Sequence, residues 1–311
     1  TLVPDMERRG YSKSMSIGPI LASGSLAIMI PPSALGVILA SMGQFSVGKL
    51  LIGILLPGLL LAVVYATYVV IRCHIQPHLA PAYEVIPTPI GPRIMRTVQY
   101  VLPLVTIIGI VIGTIFAGVA TPTEAAALGA LFCFLLVACY GKLTWQVLKK
   151  SIAAATTISV MVFVILTGSA AFSQILAFTG ITVGLTELAL AWSEHPILIL
   201  IAMQAILLLL GMLIEQTSIV MITTPIYFPI VSAFGWDPVW FGAIMLLNLE
   251  MATISPPFGL SLFVMKGITS KNTTMGDIYR AALPFVALNL LVMAIMIAVP
   301  GTVLWLPTLM R

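Results

Sequence analysis

Long apolar runs separated by short polar punctuation dominate this chain. The runs 49–72, 99–118, 120–140, 152–176, 197–233 and 278–299 are each long enough to cross about 30 Å of hydrocarbon, which takes about 20 helical residues. The run 197–233 is interrupted by Glu215-Gln216-Thr217-Ser218 and predicts one broken helix that crosses once. Two further apolar segments, 14–42 and 238–267, are broken at Ile30-Pro31-Pro32-Ser33 and at Ile254-Ser255-Pro256-Pro257. Adjacent prolines remove two backbone donors and exclude a continuous helix. Each of these segments is expected to be two half-helices meeting at a tip, a re-entrant hairpin whose freed backbone is covered by protein or water.

The connections differ in character. Residues 74–97 carry Pro77, Pro81, Pro87, Pro89 and Pro92 and predict an extended, stiff link. Residues 142–150 place Lys142, Lys149 and Lys150 beside Leu143, Trp145, Val147 and Leu148, the composition of an amphipathic helix at the headgroup level. The pattern divides the chain into a first hairpin (1–48), a scaffold helix with the Pro-rich connection (49–98), a helix pair (99–140), amphipathic and scaffold helices (141–195), a broken helix (196–237), a second hairpin (238–270) and a C-terminal scaffold helix (271–311).

The two interrupted segments are also alike. Pro4 and Pro229 each precede a Pro-Pro pair by the same distance, Gly10-Tyr11 matches Gly235-Trp236, and Leu35 matches Leu260, all at one offset. Five crossings between the two tips would invert the second copy relative to the first. Inverted repeats whose broken helices meet near the midplane are the architecture of secondary transporters. By the same offset, the partners of residues 99–225 would form about 125 residues before Thr1.

Composition narrows the class. The 311 residues are 60% apolar and 8% charged, against about 25% charged in soluble domains. In water such a surface would aggregate; in lipid it would not. The net charge of +4 is dispersed, without a basic stripe interleaved with aromatics, so nucleic acid is not an expected partner. The sequence has no His-Glu-x-x-His, no Gly-x-Ser-x-Gly and no phosphate-binding Gly-x-x-x-x-Gly-Lys-Ser/Thr. An enzyme is therefore not expected, no cofactor beyond sodium as coupling ion is expected, and an ion gradient is the expected energy source.

Candidate chemistry lies where helices break. Half-helix N-termini offer N–H groups to anions, C-terminal carbonyls face cations, and hydroxyls complete a shell of hard oxygen ligands. Three places qualify. The first break offers Ser23, Gly24, Ser25, Pro31, Pro32 and Ser33. The stretch Gly118-Val119-Ala120-Thr121-Pro122-Thr123-Glu124 reads as a helix start, with Thr121 as N-cap and Glu124 closing a capping box, set between two apolar runs. The second break offers Thr253, Ser255, Pro256 and Pro257, with Glu215, Thr217 and Ser218 interrupting the preceding run. Glu215 and Glu250 are acids within apolar segments, and such acids are expensive and usually functional. Ser23, Ser25, Thr121, Thr123, Thr253 and Ser255 are the candidate sodium ligands. The tips and the Thr121–Glu124 break are expected to face one cavity.

Three motifs in order, Gly24-Ser25-Leu26-Ala27-Ile28-Met29-Ile30-Pro31-Pro32-Ser33, Phe116-Ala117-Gly118-Val119-Ala120-Thr121-Pro122-Thr123-Glu124-Ala125-Ala126-Ala127 and Ser255-Pro256-Pro257-Phe258-Gly259-Leu260-Ser261-Leu262-Phe263, resemble the large membrane subunit of tripartite ATP-independent periplasmic (TRAP) transporters. The resemblance runs nearly end to end. It implies an all-α, multi-pass protein of the bacterial inner membrane that takes up a small organic acid, such as a C4-dicarboxylate or a sialic acid, driven by sodium through an elevator-type movement. It implies two partners, a periplasmic substrate-binding protein and a small four-helix membrane subunit. It also implies a serine-rich helix break in a stretch before Pro4. Ala27 and Met29 depart from the glycine and leucine more usual in the family, and Glu215 stands where aspartate is frequent. Competing readings are a stand-alone elevator-type anion symporter, an ion channel and a structural membrane subunit. Two inverted hairpins in one chain argue against a channel, and a purely structural subunit has no use for buried Pro-Pro breaks.

The basic residues suggest an orientation. Arg72, Arg93, Arg96, Lys142, Lys149, Lys150, Lys266, Lys271 and Arg280 fall in or beside segments 73–98, 141–151 and 265–277, which places those on the cytoplasmic side; Arg8, Arg9 and Lys13 oppose this.

Overall fold

A computed structural model describes residues 2–81, 89–191, 194–270 and 272–310, with Ser25 as backbone only. The Ser25 side chain and Lys271, both singled out above, lie outside the described residues, as does part of the Pro-rich connection. The chain is helical, with no strand among the described residues. It forms two units, one of residues 1–84 and 179–308, the other of 85–178 and 309–311.

The first unit holds α1 (Leu2–Arg8), α2 (Lys13–Met29), α3 (Ala34–Met42), α4 (Val47–Gly53) and α5 (Leu55–Ile75). The second holds α6 (Ile90–Tyr100), α7 (Leu102–Phe116), α8 (Pro122–Cys139) and α9 (Trp145–Phe178). The chain then returns to the first unit with α10 (Ile181–Leu190), α11 (Pro196–Leu213), α12 (Gln216–Ala233), α13 (Pro238–Thr253), α14 (Leu260–Ile268), α15 (Met275–Ala298) and α16 (Gly301–Thr308). Helix starts follow local chemistry: Ser12, Ser33, Ser46, Asp237 and Thr274 each accept a backbone N–H of the first turn.

The core of the first unit is α13, buried along almost its whole length from Val239 to Ala252. The other helices are oriented by specific contacts. At one end of α2, Cys73 of α5 lies 3.7 Å from Met15. Beyond it, Gly58 of α5 touches the Met29 carbonyl so closely that a Cβ there would clash. The α4–α5 strip therefore runs antiparallel to α2. Lys13 bonds the Asp277 carboxylate at 2.9 Å, and Gly18 packs on Ala281 and Phe285, so α2 and α15 run parallel. Trp240 donates to the Met296 carbonyl at 2.8 Å, and Tyr279 to the Pro257 carbonyl at 2.8 Å, so α13 and α15 run antiparallel. It follows that α2 and α13, the helices that lead into the two Pro-Pro pairs, run in opposite directions. Both Pro-Pro peptide bonds, Pro31-Pro32 and Pro256-Pro257, are cis.

Three expectations change. First, the Pro-Pro segments do not double back as re-entrant hairpins. The axes of α2 and α3 differ by 44°, and α3 continues beside α4, which belongs to the strip already antiparallel to α2. Likewise α14 packs mainly on α15 rather than back along α13. Proline removes donors and bends the chain, but the direction taken depends on what each half packs against. Second, the run 197–233 is not one broken crossing. Tyr227 of α12 donates to the Met203 carbonyl of α11 at 3.1 Å. In a straight helix these residues would be about 36 Å apart. α11 and α12 are therefore a helical hairpin with its tip at Ile214–Glu215. Third, the connection before residue 100 is helical from Ile90, because Gly91 and Pro92 fall in the first turn, where a missing donor costs little. The amphipathic segment 142–150 is not a separate helix but feeds into the 34-residue α9.

In the second unit, α7 and α8 pack side by side, and Tyr140 donates to the Gln99 carbonyl. α9 is apolar on all sides and almost wholly exposed, a surface that suits lipid. By length and composition, five helices can cross a membrane, or seven with each bent pair taken as one span, among the described residues.

Candidate functional site

The hairpin tip and the second break enclose a cavity of about 260 Å³ within the first unit. Its walls are Leu21 and Gly24 of α2, Ile214, Glu215 and Gln216 at the tip, Glu250 and Thr253 of α13, and Leu260 and Ser261 of α14. Gly24 leaves open space where a side chain would stand. The C-terminal end of α13 and the N-terminal end of α14 both meet here, so a negative and a positive helix end share one space.

Local chemistry sets each side chain. Ile214 and Glu215 are both extended, which carries the chain round the tip. Glu215 caps α12: it accepts the Ser218 N–H at 3.2 Å and the Thr217 hydroxyl at 2.8 Å. Gln216 reaches across to α13, donating to the Leu249 carbonyl at 3.1 Å and making a longer contact of 3.4 Å with the Glu250 carboxylate. Thr253 donates to the Glu250 carbonyl at 2.8 Å, and buried Ser255 donates to the Met251 carbonyl at 2.7 Å. Gly259 closes the break; a Cβ there would collide with the Thr253 carbonyl. Deeper between α11 and α13, Asn248 donates to the Gln204 carbonyl and side-chain oxygen, both at 2.7 Å.

The sequence-predicted residues divide accordingly. Gly24, Glu215 and Thr253 line the cavity. Thr217 and Ser218 support Glu215, and Ser255, Pro256 and Pro257 form the break beside it. Ser23 is exposed and donates to the Ile20 carbonyl at 3.0 Å. Pro31, Pro32 and Ser33 lie elsewhere: Ser33 is buried and caps α3 by accepting the Gly36 N–H at 3.2 Å, and Gly36 faces Leu246. Leu246 is about 10 Å along α13 from Thr253. Gly118, Thr121, Pro122, Thr123 and Glu124 belong to the second unit. There the capping box forms as expected, with Glu124 accepting from the Thr121 N–H at 2.7 Å and its hydroxyl at 2.8 Å, in an exposed position.

Sequence reading missed Gln216 as a bridge and Ser261 and Leu260 as walls, and it singled out Glu250 without placing it in the site. Only the fold-back at 214–215 brings Gln216 to α13, a long-range contact with no local signal. Among the described residues, two acidic side chains and no Lys, Arg or His side chain line this cavity, and their oxygens suit a hard cation.

The family model for the tripartite ATP-independent periplasmic transporter, DctM component, matches residues 1–302. The chain is 30% identical to the C4-dicarboxylate TRAP transporter large permease protein DctM of Vibrio cholerae, over 99% of this chain and 71% of that protein. It is 29% identical to the sialic acid TRAP transporter large permease protein SiaM of the same organism, over 99% and 70%. It is 30% identical to the ectoine TRAP transporter large permease protein TeaC of Halomonas elongata, over 98% and 70%. With the helical, lipid-suited architecture, these matches settle what kind of molecule this is. The chain belongs to the TRAP transporter family as its DctM component, a large, multi-pass inner-membrane permease of a solute-uptake system.

Proposed function

We propose that this permease carries a small organic solute inward in exchange for the energy of a sodium gradient, with the cavity at the α11–α12 tip as a coupling site. The observation that carries the reading is the convergence of Glu215, Glu250, the Thr253 hydroxyl and the carbonyl end of α13 on one space. Sodium favours such hard oxygen donors, and a bound cation would offset the local negative potential. The start of α14 adds N–H groups able to hold a carboxylate beside that cation. The opposed directions of α2 and α13 support an inverted-repeat design, and an elevator-type movement of the broken helices and the hairpin fits it. The substrate belongs to the range named for the relatives, C4-dicarboxylates, sialic acid and ectoine, and a periplasmic binding protein and a small membrane subunit complete the system.

The test is uptake of labelled succinate, N-acetylneuraminic acid and ectoine into proteoliposomes holding the permease with its small subunit, with the binding protein outside. An inward sodium gradient should stimulate uptake of at least one. Uptake that is unchanged when potassium replaces sodium would overturn the sodium coupling.

A further inference from the structure

The second unit is electrically polarised. Residues 85–178 contain five basic side chains, Arg93, Arg96, Lys142, Lys149 and Lys150, and one acid, Glu124. Their placement follows from the helices. α7 and α8 are antiparallel, joined at residues 117–121, and the Tyr140–Gln99 hydrogen bond closes their other end. Glu124 is at the joined end. Counting about 20 residues, the span of about 30 Å of hydrocarbon, back from Phe116 reaches Arg96. The same count forward from Pro122 reaches Lys142. Lys149 and Lys150 lie in the second turn of α9, just before its long apolar stretch. All five cations therefore sit at one membrane surface.

Their surroundings fit a headgroup layer. All five are exposed, and among the described residues none has an acidic partner. α6 departs from α7 at 40° and carries exposed Ile90, Ile94, Met95 and Val98 beside Arg93 and Arg96. Trp145 is exposed with the Lys149 ammonium 5.4 Å above its ring, an amphipathic pair of the kind found at membrane interfaces.

We infer that this end of the second unit, Arg93 and Arg96 on α6 with Lys142, Lys149 and Lys150 at the α8–α9 junction, binds the phosphate headgroups of anionic phospholipids. The apolar face of α6 enters the acyl boundary while its arginines take the phosphates, and Arg can do so through two N–H groups at once. Acidic lipid is the occupant because the site joins dense positive charge to apolar side chains at one depth, which a free anion does not require.

The test is native mass spectrometry of the full chain released from equimolar phosphatidylcholine and phosphatidylglycerol. The wild type should retain phosphatidylglycerol preferentially. At about fivefold per surface cation, removing four of them in R93Q/R96Q/K149Q/K150Q should lower that preference by about a hundredfold or more. R93K/R96K should keep it, which separates loss of charge from loss of fold. Equal retention of the two lipids by the wild type, or an unchanged preference in the quadruple variant, would overturn the inference. So would displacement of phosphatidylglycerol by millimolar inorganic phosphate, which would make this a free-anion site.

Discussion

Two interruptions of the apolar pattern behave in opposite ways. At Ile30–Ser33 the chain bends by 44° and goes on, as α3 follows the strip α4–α5. At Ile214–Glu215 it reverses, and α12 returns along α11. Both sites have extended residues and a polar cap at the start of the next helix: Ser33 in one, Glu215 in the other. The local chemistry releases backbone in both places, but the direction of the next helix is decided by its partners. α12 finds apolar partners on α10 and α11, whose Leu188, Met203 and Ile206 share a cleft with its Ile222, Ile226 and Tyr227. The consequence reaches the proposed site. The bend packs its polar groups away, with Ser33 buried as a cap, whereas the reversal delivers Glu215 and Gln216 to the end of α13.

The largest effect comes from testing the reversal itself. Met203→Cys with Tyr227→Cys, in a background with Cys73, Cys133 and Cys139 replaced by serine, should be joined efficiently by a short bifunctional maleimide of about 10 Å reach. A straight segment would hold the two thiols about 36 Å apart and give no product. Next, a side chain at either close approach should disturb the break it serves. Gly259→Val drives a branched side chain into the Thr253 carbonyl and Gly58→Val into the Met29 carbonyl. Each should lose about 1–3 kcal/mol, read as a fall in thermal unfolding temperature, with uptake lost in Gly259→Val in proportion beyond its loss of folded protein. Equal stability in both variants would mean the backbone shifts freely at these points. The smallest effect is expected for Tyr227→Phe, which deletes one interhelical hydrogen bond and should lower stability by about 0.6 kcal/mol with the hairpin retained.

Much of this was legible in the chain. The spans follow from apolar length, the Thr121–Glu124 capping box from its spacing, and the two helix breaks from paired prolines. These are local properties, fixed within a few residues. What escaped was the sense of the turn at residues 30–33 and 214–215, and with it Gln216 as a bridge and Glu250 as a cavity wall. Those depend on which helix lies alongside, and neither proline nor glutamate encodes an angle. Pro92 likewise misled, because its effect depends on whether it falls in a helix interior or a first turn.

If the reversal, not the bend, builds the proposed coupling site, sodium dependence must follow the residues of the reversal. The direct measurement is the sodium dependence of uptake in proteoliposomes for Glu215→Gln and Thr253→Ala, set against Ser33→Ala. Glu215→Gln and Thr253→Ala should raise the sodium concentration needed for half-maximal uptake by tenfold or more, about 1.4 kcal/mol each, while Ser33→Ala costs about 1 kcal/mol of stability and leaves the sodium curve in place. A wild-type sodium curve in both cavity variants, or a shifted curve only in Ser33→Ala, would contradict it.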